Sequence, residues 1–477
     1  MSQRKPKVLP LNGGSYTLTP LQLSDEQKCR QVRELLQGLV LSDATIERIK
    51  SVFRNEMELA LNEKPSSLQM ENTYIPELLD GTENGSYLAM DLGGTNLRVL
   101  LVELCQGKVC NELVKHYPLP NDLRIGCGTR LFDYLAQCVK DFISDNELRT
   151  DFIYPLGFTF SFPMHQHSLN SAVLVTWTKS FNCPSIVGED VVEKLRESLA
   201  SCGCHNVEVI AILNDTTGTL MHGALLNHQT RIGIVVGTGT NGCYMEYADR
   251  VKHWEEKRHE GENYVVIDVE WGAFGDNGVL DFIRTDYDRA VDEGSLLRNS
   301  FTFEKYIGGK YLGELCRVIL KGLYDAGLFM VHLPQENFPK PWTFNTNIIS
   351  LIEEDTIHNC FERTHNVLKE HFVSSADYTT DDCYVIRYVC GVISLRAAQL
   401  LSINTSMLLN RMNDERDITI AIDGSVYKLH PRIRHWLDDY TKLWTPDKNI
   451  NYMLAEDGSG KGAALVAAIA DKLRKRY

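Results

Sequence analysis

Apolar positions follow two periodicities along the chain, helical over the first sixty residues and strand-like from about residue 74. Over 43–61, Ile46, Ile49, Phe53, Met57 and Ala60 recur at three- and four-residue spacing, which places them on one helix face. Before that, Ser24 and Gln27 read as a capping box opening a helix that runs to Leu36. Short apolar runs bounded by glycine and polar residues then predict strands over 87–91, 98–104 and 156–162, with a helix over 131–143 between them. Residues 209–213 form another apolar run, and 232–246 reads as strand, glycine turn and returning strand. Helical stretches over 303–323 and 382–411, a strand over 418–422 and a C-terminal helix after Gly460-Lys461-Gly462 complete the series. Strands alternating with helices predict an α/β architecture.

Composition narrows the function classes. At 477 residues the chain exceeds what one core commonly spans, so two domains are expected. Apolar content of 43% and charged content of 23% are those of an ordinary globular protein. A net charge of −14 weighs against a nucleic-acid partner held by a basic surface. An anionic ligand must therefore be held by local donors. Thirteen cysteines with no CxxC pair point to reduced thiols. The lack of an 18-residue apolar run or a signal-like N-terminal core leads us to expect no membrane insertion and a cytosolic location. His165 and His167, beside Pro163 and without further ligands, read as loop residues and not as a metal site.

Candidate chemistry begins at 88–104, LAMDLGGTNLRVLLVEL, where Gly93 and Gly94 let backbone N–H groups approach an anion. Thr95, Asn96 and Arg98 add donors, and Asp91 is positioned to hold a water of a phosphate-bound metal. Read alone, the segment fits an ordinary glycine-turn hairpin equally well. Asp215, after Asn214, sits where a strand gives way to a helix, an edge that ligands favour, although an acid there also caps a helix. Gly237, Gly239 and Gly242 match GxGxxG, but that fingerprint needs a helix next, and 243–246 reads as a strand. A second phosphate hairpin with Thr238 as donor fits better. The segment 456–464, EDGSGKGAA, fails the P-loop pattern twice, leaving close helix packing beside a nucleotide, with Ser459 in reach, or close packing alone. Glu270 and Glu304 are acids beside large apolar residues; each suits a polyol hydroxyl, and each taken singly also suits an ion-paired surface acid.

The ordered set LGGTNLRV, LGFTFSFP, WTKSF, LNDTTGTL, VGTGTNGCYME, EWGAFGD, FEKYIGGKYLGEL, DGSVYKLHP and EDGSGKGAA resembles the eukaryotic hexokinases and their glucokinase relatives over roughly residues 20–475. The set occurs once, as in the single-unit form of about 50 kDa. The resemblance implies a two-domain α/β fold of the actin, Hsp70 and hexokinase type (ribonuclease H-like), with the active site in the interdomain cleft. It assigns 1–20 to a flexible leader, 21–73 to helices packing on the large domain, 74–214 with 456–477 to the small domain, and 215–455 to the large domain.

The resemblance further implies phosphorylation of a hexose 6-hydroxyl by ATP with Mg²⁺. Asp215 matches the catalytic base, supported by Lys179, Arg98 and Thr238. Ser161, Thr178, Lys179, Asn214, Asn241, Glu270 and Glu304 match sugar-binding positions. Asp91, Gly93, Gly94, Thr95, Asn96, Arg98, Thr238, Gly239, Asp423, Gly424, Ser425 and Ser459 match positions holding nucleotide or product, and no residue ligates the metal directly. Expected partners are the hexose and ATP, with no nucleic acid, and the expected state is a monomer, with a dimer as the alternative. Departures are few: Leu97 for Phe, Ser180 for Gly, Thr240 for Ser or Cys, and Gly242 for Ala, the last two flanking Asn241. A catalytically idle sugar sensor and an actin-like ATPase module are the competing readings.

Overall fold

The structure is a computed structural model and describes residues 18–93, 96–178, 181–255, 258–372, 378–412 and 417–476. Two sheets organise it. Strand β1 (Glu71–Asn72) belongs to the larger one. Strands β2 (Gly85–Leu92), β3 (Asn96–Cys105), β4 (Lys108–Pro118), β5 (Tyr154–Phe160) and β8 (Val207–Leu213) form a five-stranded sheet in the order β4-β3-β2-β5-β8. Between β5 and β8 the chain makes a separate hairpin, β6 (Met164–Ser168) and β7 (Ser171–Leu174). Strands β9 (Thr230–Val236), β10 (Thr240–Tyr247), β11 (Tyr264–Asp268), β12 (Asp417–Asp423) and β13 (Asn449–Leu454) join β1 in a six-stranded sheet, β1-β11-β10-β9-β12-β13.

The parallel strands β2, β5 and β8 are buried on both faces, which is why their sequences are continuous apolar runs. Strand β4 is an edge strand with mostly accessible polar side chains, and that alternation hid it from the hydrophobic pattern. Two helices, Asp215–Leu226 and Gly458–Arg476, cross between the sheets. Their contact is very close: a Cβ at Gly462 would lie 2.2 Å from the Gly218 Cα. The expected start of the last helix, after Gly462, is therefore five residues late, because Gly458 and Gly462 are both within the helix and form its contact face. Leu220, Met221, Ala464 and Ile469 build a shared core with Ala89, Val102, Cys243 and Val266 from the two sheets.

The helix Asp43–Leu61 forms with its apolar face buried, and Phe53 packs edge-on against Phe274 in the core of the six-stranded sheet. The preceding helix, Glu26–Leu36, is capped by Asp25, whose carboxylate accepts from the N–H groups of Gln27 and Lys28. Ser24, the expected cap, instead donates through its N–H and hydroxyl to Asp381. The expected 303–323 helix is two, Thr302–Ile307 and Leu312–Asp325, separated at Gly308-Gly309. Helix Thr380–Arg411 is long and apolar enough to cross a bilayer, yet 89% of its apolar window is buried in the protein, as in a core helix.

His165 and His167 lie on strand β6 and not in a loop. His165 pairs with Glu71 at 3.3 Å and His167 with Glu255 at 2.8 Å. Cys105 and Cys110 form a disulfide, contrary to the expectation of reduced thiols only, because the tight turn at Gln106-Gly107 folds β4 back on β3 and brings their Cα atoms to 6.0 Å. All of the expected leader but residues 18–20 lies outside the described residues, as do Gly94, Thr95, Lys179 and Ser180.

Candidate active site

A cavity of about 500 Å³ opens where the two sheets face each other. Ser161 and Thr178 line it from the side of the five-stranded sheet, and Asn214 and Asp215 from the start of the crossing helix. Thr238, Gly239 and Asn241 contribute from the β9–β10 hairpin, Glu270 follows β11, and Glu304 comes from helix Thr302–Ile307. Residues from six separate stretches of sequence thus converge on one space. Cavities of this size, mostly apolar with a few converging polar groups, are the usual form of a small-molecule site.

Local geometry explains why each side chain points inward. Asn214 is the N-cap of helix Asp215–Leu226: its Oδ1 accepts from the Thr216 N–H at 3.2 Å, and its Nδ2 is left to donate to Glu270 Oε1 at 3.0 Å. Asp215 is then the first residue of the helix, half-buried at its positive end. Glu270 has φ 51°, in the left-handed region that costs a side-chain-bearing residue about 1–2 kcal/mol. Phe301, at φ 57°, turns the chain into the helix carrying Glu304. Both glutamates of the cavity therefore depend on left-handed backbone, the kind of strain that clusters at ligand sites. Asp276 holds the second of these turns by accepting the N–H groups of Phe301 and Thr302 at 2.9 and 2.8 Å. Burial raises the pKa of that carboxyl above its ordinary value, and the two N–H donors oppose the rise.

The β9–β10 turn lies hard against Glu304. A Cβ on Gly239 would come 2.1 Å from Glu304 Oε2, the end of a flexible side chain, so a side chain there would push the carboxylate from its place. The Gly308-Gly309 break has its reason here too, since the Gly309 and Lys310 N–H groups donate to the carbonyls of Gly237 and Thr238 at 2.8 and 3.0 Å. The departures at 240 and 242 are packing features. Trp271 Nε1 donates to the Thr240 hydroxyl at 3.1 Å, and a Cβ at Gly242 would meet the Trp271 ring at 2.5 Å.

Thr238 and Gly239 line the cavity, and the other described nucleotide residues fall into two groups outside it. Arg98 Nε donates to Asp91 at 3.0 Å, Arg98 Nη2 to the Ser459 hydroxyl at 2.7 Å, and Ser459 to Asp91 at 3.0 Å, while Nη1 pairs with Asp457. Gly93 N–H closes the turn onto the Asn96 carbonyl at 3.0 Å. Asp423, Gly424 and Ser425 end β12, where Gly424 has φ 111° and its Cα side abuts Val236 and Gly237. Asp423 pairs with Lys428 at 3.0 Å. Among the described residues no group of three or more His, Cys, Asp or Glu side chains is spaced to hold a metal ion.

Arg124 and Leu297, which line the cavity, lie outside every motif read from the sequence. Leu297 is held by Lys305, which donates to its carbonyl at 2.5 Å and pairs with buried Asp292. Asp268, at the end of β11, was also missed. Its Oδ1 accepts from Asn241 Nδ2 at 2.7 Å and lies 3.4 Å from the Thr216 hydroxyl, immediately behind the cavity wall.

Two family models, both described as hexokinase, match residues 31–225 and 231–469. Over 471 residues, 97% of this chain, it is 37% identical to Hexokinase-1 of Homo sapiens, of which it covers 50%, and of Mus musculus, of which it covers 47%. The chain thus spans about half the length of the curated relatives it matches. Among solved structures it is similar to the hexokinase from Schistosoma mansoni complexed with glucose, with a TM-score of 0.84 and 37% identity over 94% of this chain and 100% of that one. With these matches covering both sheets and the cavity between them, the chain belongs to the hexokinase family.

Proposed function

We propose that the chain phosphorylates the 6-hydroxyl of glucose, and of mannose and fructose, with ATP, giving the hexose 6-phosphate that enters glycolysis. The observation that carries this reading is the composition of the cavity: Asp215, Glu270 and Glu304 are acceptors, Ser161 and Thr178 both donate and accept, and Asn214 and Asn241 supply amides. Hydroxyls of a neutral polyol are donor and acceptor at once, so they satisfy such a mixed set where a carboxylate or phosphate ligand would be repelled by the three acids. The Schistosoma mansoni relative, whose structure holds glucose, supports the same class of ligand.

In this reading Asp215 takes the proton of the 6-hydroxyl as that oxygen attacks the γ-phosphorus of ATP, the bond to the β-γ bridging oxygen breaks, and ADP leaves. Asn214, tied to Glu270, and Glu304, which accepts from the Thr240 N–H at 3.3 Å, hold the sugar so that only its 6-hydroxyl reaches Asp215. The transition state of phosphoryl transfer is loose, so charge stabilisation matters as much as base strength. Thr238, Arg98 and Lys179 are the donors we assign to it, Lys179 on its sequence alone. Thr238 and Gly239 of the β9–β10 turn, with Asn96 and Ser425, are the groups we assign to the polyphosphate, Gly94 and Thr95 on their sequence alone, and Asp91 is the carboxylate assigned to a water of Mg²⁺. The metal, when bound, neutralises phosphate charge.

Incubation with Mg-ATP and glucose, mannose, fructose or glycerol, with ADP and sugar phosphate both measured, tests the proposal. We expect hexose phosphate from the three hexoses and none from glycerol. Hexose binding with no sugar phosphate at any concentration would leave a sensor and sink the kinase reading.

A further inference from the structure

We propose that Asp268 is a positioning residue for the sugar site, fixing the Asn241 amide through a hydrogen bond from behind the cavity wall. The role rests on the hexose reading of the cavity and adds to it a residue that does not touch the sugar.

Asn241 lines the cavity from β10, and its side-chain hydrogen bonds to the described residues lie on the protein side: Nδ2 donates to Asp268 Oδ1 at 2.7 Å and to the Thr216 hydroxyl at 3.2 Å, while Oδ1 accepts from the Gly242 N–H at 2.7 Å. With both amide protons directed at fixed acceptors, the amide cannot turn over, and the remaining lone pair of Oδ1 is what it offers the sugar. Thr216 passes the constraint on. Its hydroxyl accepts from Asn241 Nδ2 at 3.2 Å and gives its one proton to Asn214 Oδ1 at 3.0 Å, so the amide held by Asp268 is tied in turn to the second cavity amide. The register explains how Asp268 reaches this place, since β11 pairs it with Cys243 on one side and Glu71 of β1 on the other, directing its side chain at the start of the crossing helix.

Keeping an acid there is costly. Asp268 is 4% exposed. Asp215 from the crossing helix and Glu71 from β1 both act on it with like charge, Cys243 packs beside it from β10, and His165 of β6 lies on the far side of Glu71. Burial first, then these like charges, push its pKa up to about 7, against the opposing hydrogen bond from Asn241. An apolar residue would remove that cost at once, and perturbed acids of this kind concentrate at working sites.

The test is steady-state kinetics and hexose calorimetry on the full chain for wild type, Asp268→Ala, Asp268→Asn, Asn241→Ala and the double variant Asp268→Ala with Asn241→Ala. Removing one charge-assisted hydrogen bond should raise hexose KM and Kd about 10-fold in Asp268→Ala while kcat and ATP KM move less than about 3-fold. Asp268→Asn, whose amide oxygen accepts the same bond, should recover most of the hexose affinity. The double variant should bind hexose no more weakly than Asn241→Ala alone, because the partner of Asp268 is already gone. An unchanged hexose KM in Asp268→Ala, no recovery in Asp268→Asn, or effects that multiply in the double variant would each overturn the role. A wild type that neither binds nor turns over hexose would overturn the hexose reading and this role with it, whereas wild-type turnover with any of the former results overturns the role alone.

Discussion

Beside the β2–β3 turn the acid Asp91 is bound to Arg98 and Ser459, which tie the hairpin to the last helix; at the β9–β10 turn the backbone runs so close to Glu304 that a Cβ on Gly239 would displace its carboxylate. Both hairpins are an apolar strand, a glycine-bearing turn and a returning strand. Their surroundings give them different work. The first has its charged groups paired with one another and none of its described residues in the cavity lining, whereas the second places Thr238, Gly239 and Asn241 directly in it. In the proposed function, the same local sequence plan would serve phosphate alone in one half of the molecule, and phosphate and sugar together in the other.

Substitutions that separate the two substrates test this division. Asp215→Ala, where both halves meet, should lower kcat by about 10² to 10⁴-fold while hexose binding, followed by calorimetry, persists. Near-normal turnover would remove Asp215 as the base. Gly239→Ala should come next: its Cβ displaces the Glu304 carboxylate, so hexose KM should rise about 10-fold or more, as when a hydrogen bond to a charged group is lost. An unchanged hexose KM there would mean that Glu304 does not hold the sugar. Arg98→Ala breaks the other hairpin's network and should raise ATP KM roughly 3 to 10-fold, with hexose Kd within about 2-fold of wild type. A larger change in hexose Kd than in ATP KM would erase the distinction between the hairpins.

The smallest effect is a pH dependence at the contact between β6 and β1. The hydrogen bond with Glu71 raises the His165 pKa above 6.5, against partial desolvation. The folded value lies above the unfolded one, so this pair stabilises fully below pH 6.5 and its contribution is lost as pH rises through the folded value. His165 is half exposed, and the pair is screened accordingly. Thermal midpoints at pH 6 and 8.5 should differ by about 1 °C less in His165→Gln than in wild type; an identical difference in both proteins would show that the pair does not contribute.

How much of this was legible in the sequence follows from how local each signal is. Helix 43–61 and the buried strands were readable because one face, or both, are apolar over a continuous run. The edge strand β4 and the β6–β7 hairpin were not, since half-exposed strands carry polar residues at many positions. Ser24 was displaced as a cap by a hydrogen bond to Asp381, a residue 357 positions away that no local pattern can supply. The site divides the same way. Asp215, Asn241 and the glycine turns stand out as motifs, and Glu270 and Glu304 gained meaning only in the ordered set. Asp268 had no signal, because its role depends on β11 lying between β1 and β10, and Arg124 reaches the cavity from outside any motif.

The central claim is that both hairpins serve one phosphoryl-transfer site, and the stoichiometry of ADP and hexose 6-phosphate tests it most directly. Wild-type protein with Mg-ATP and saturating glucose should release one glucose 6-phosphate per ADP, and without sugar the ADP rate should fall at least about 100-fold, because a site completed by its hexose discriminates against water. ADP formed at a comparable rate with no glucose 6-phosphate would contradict the account.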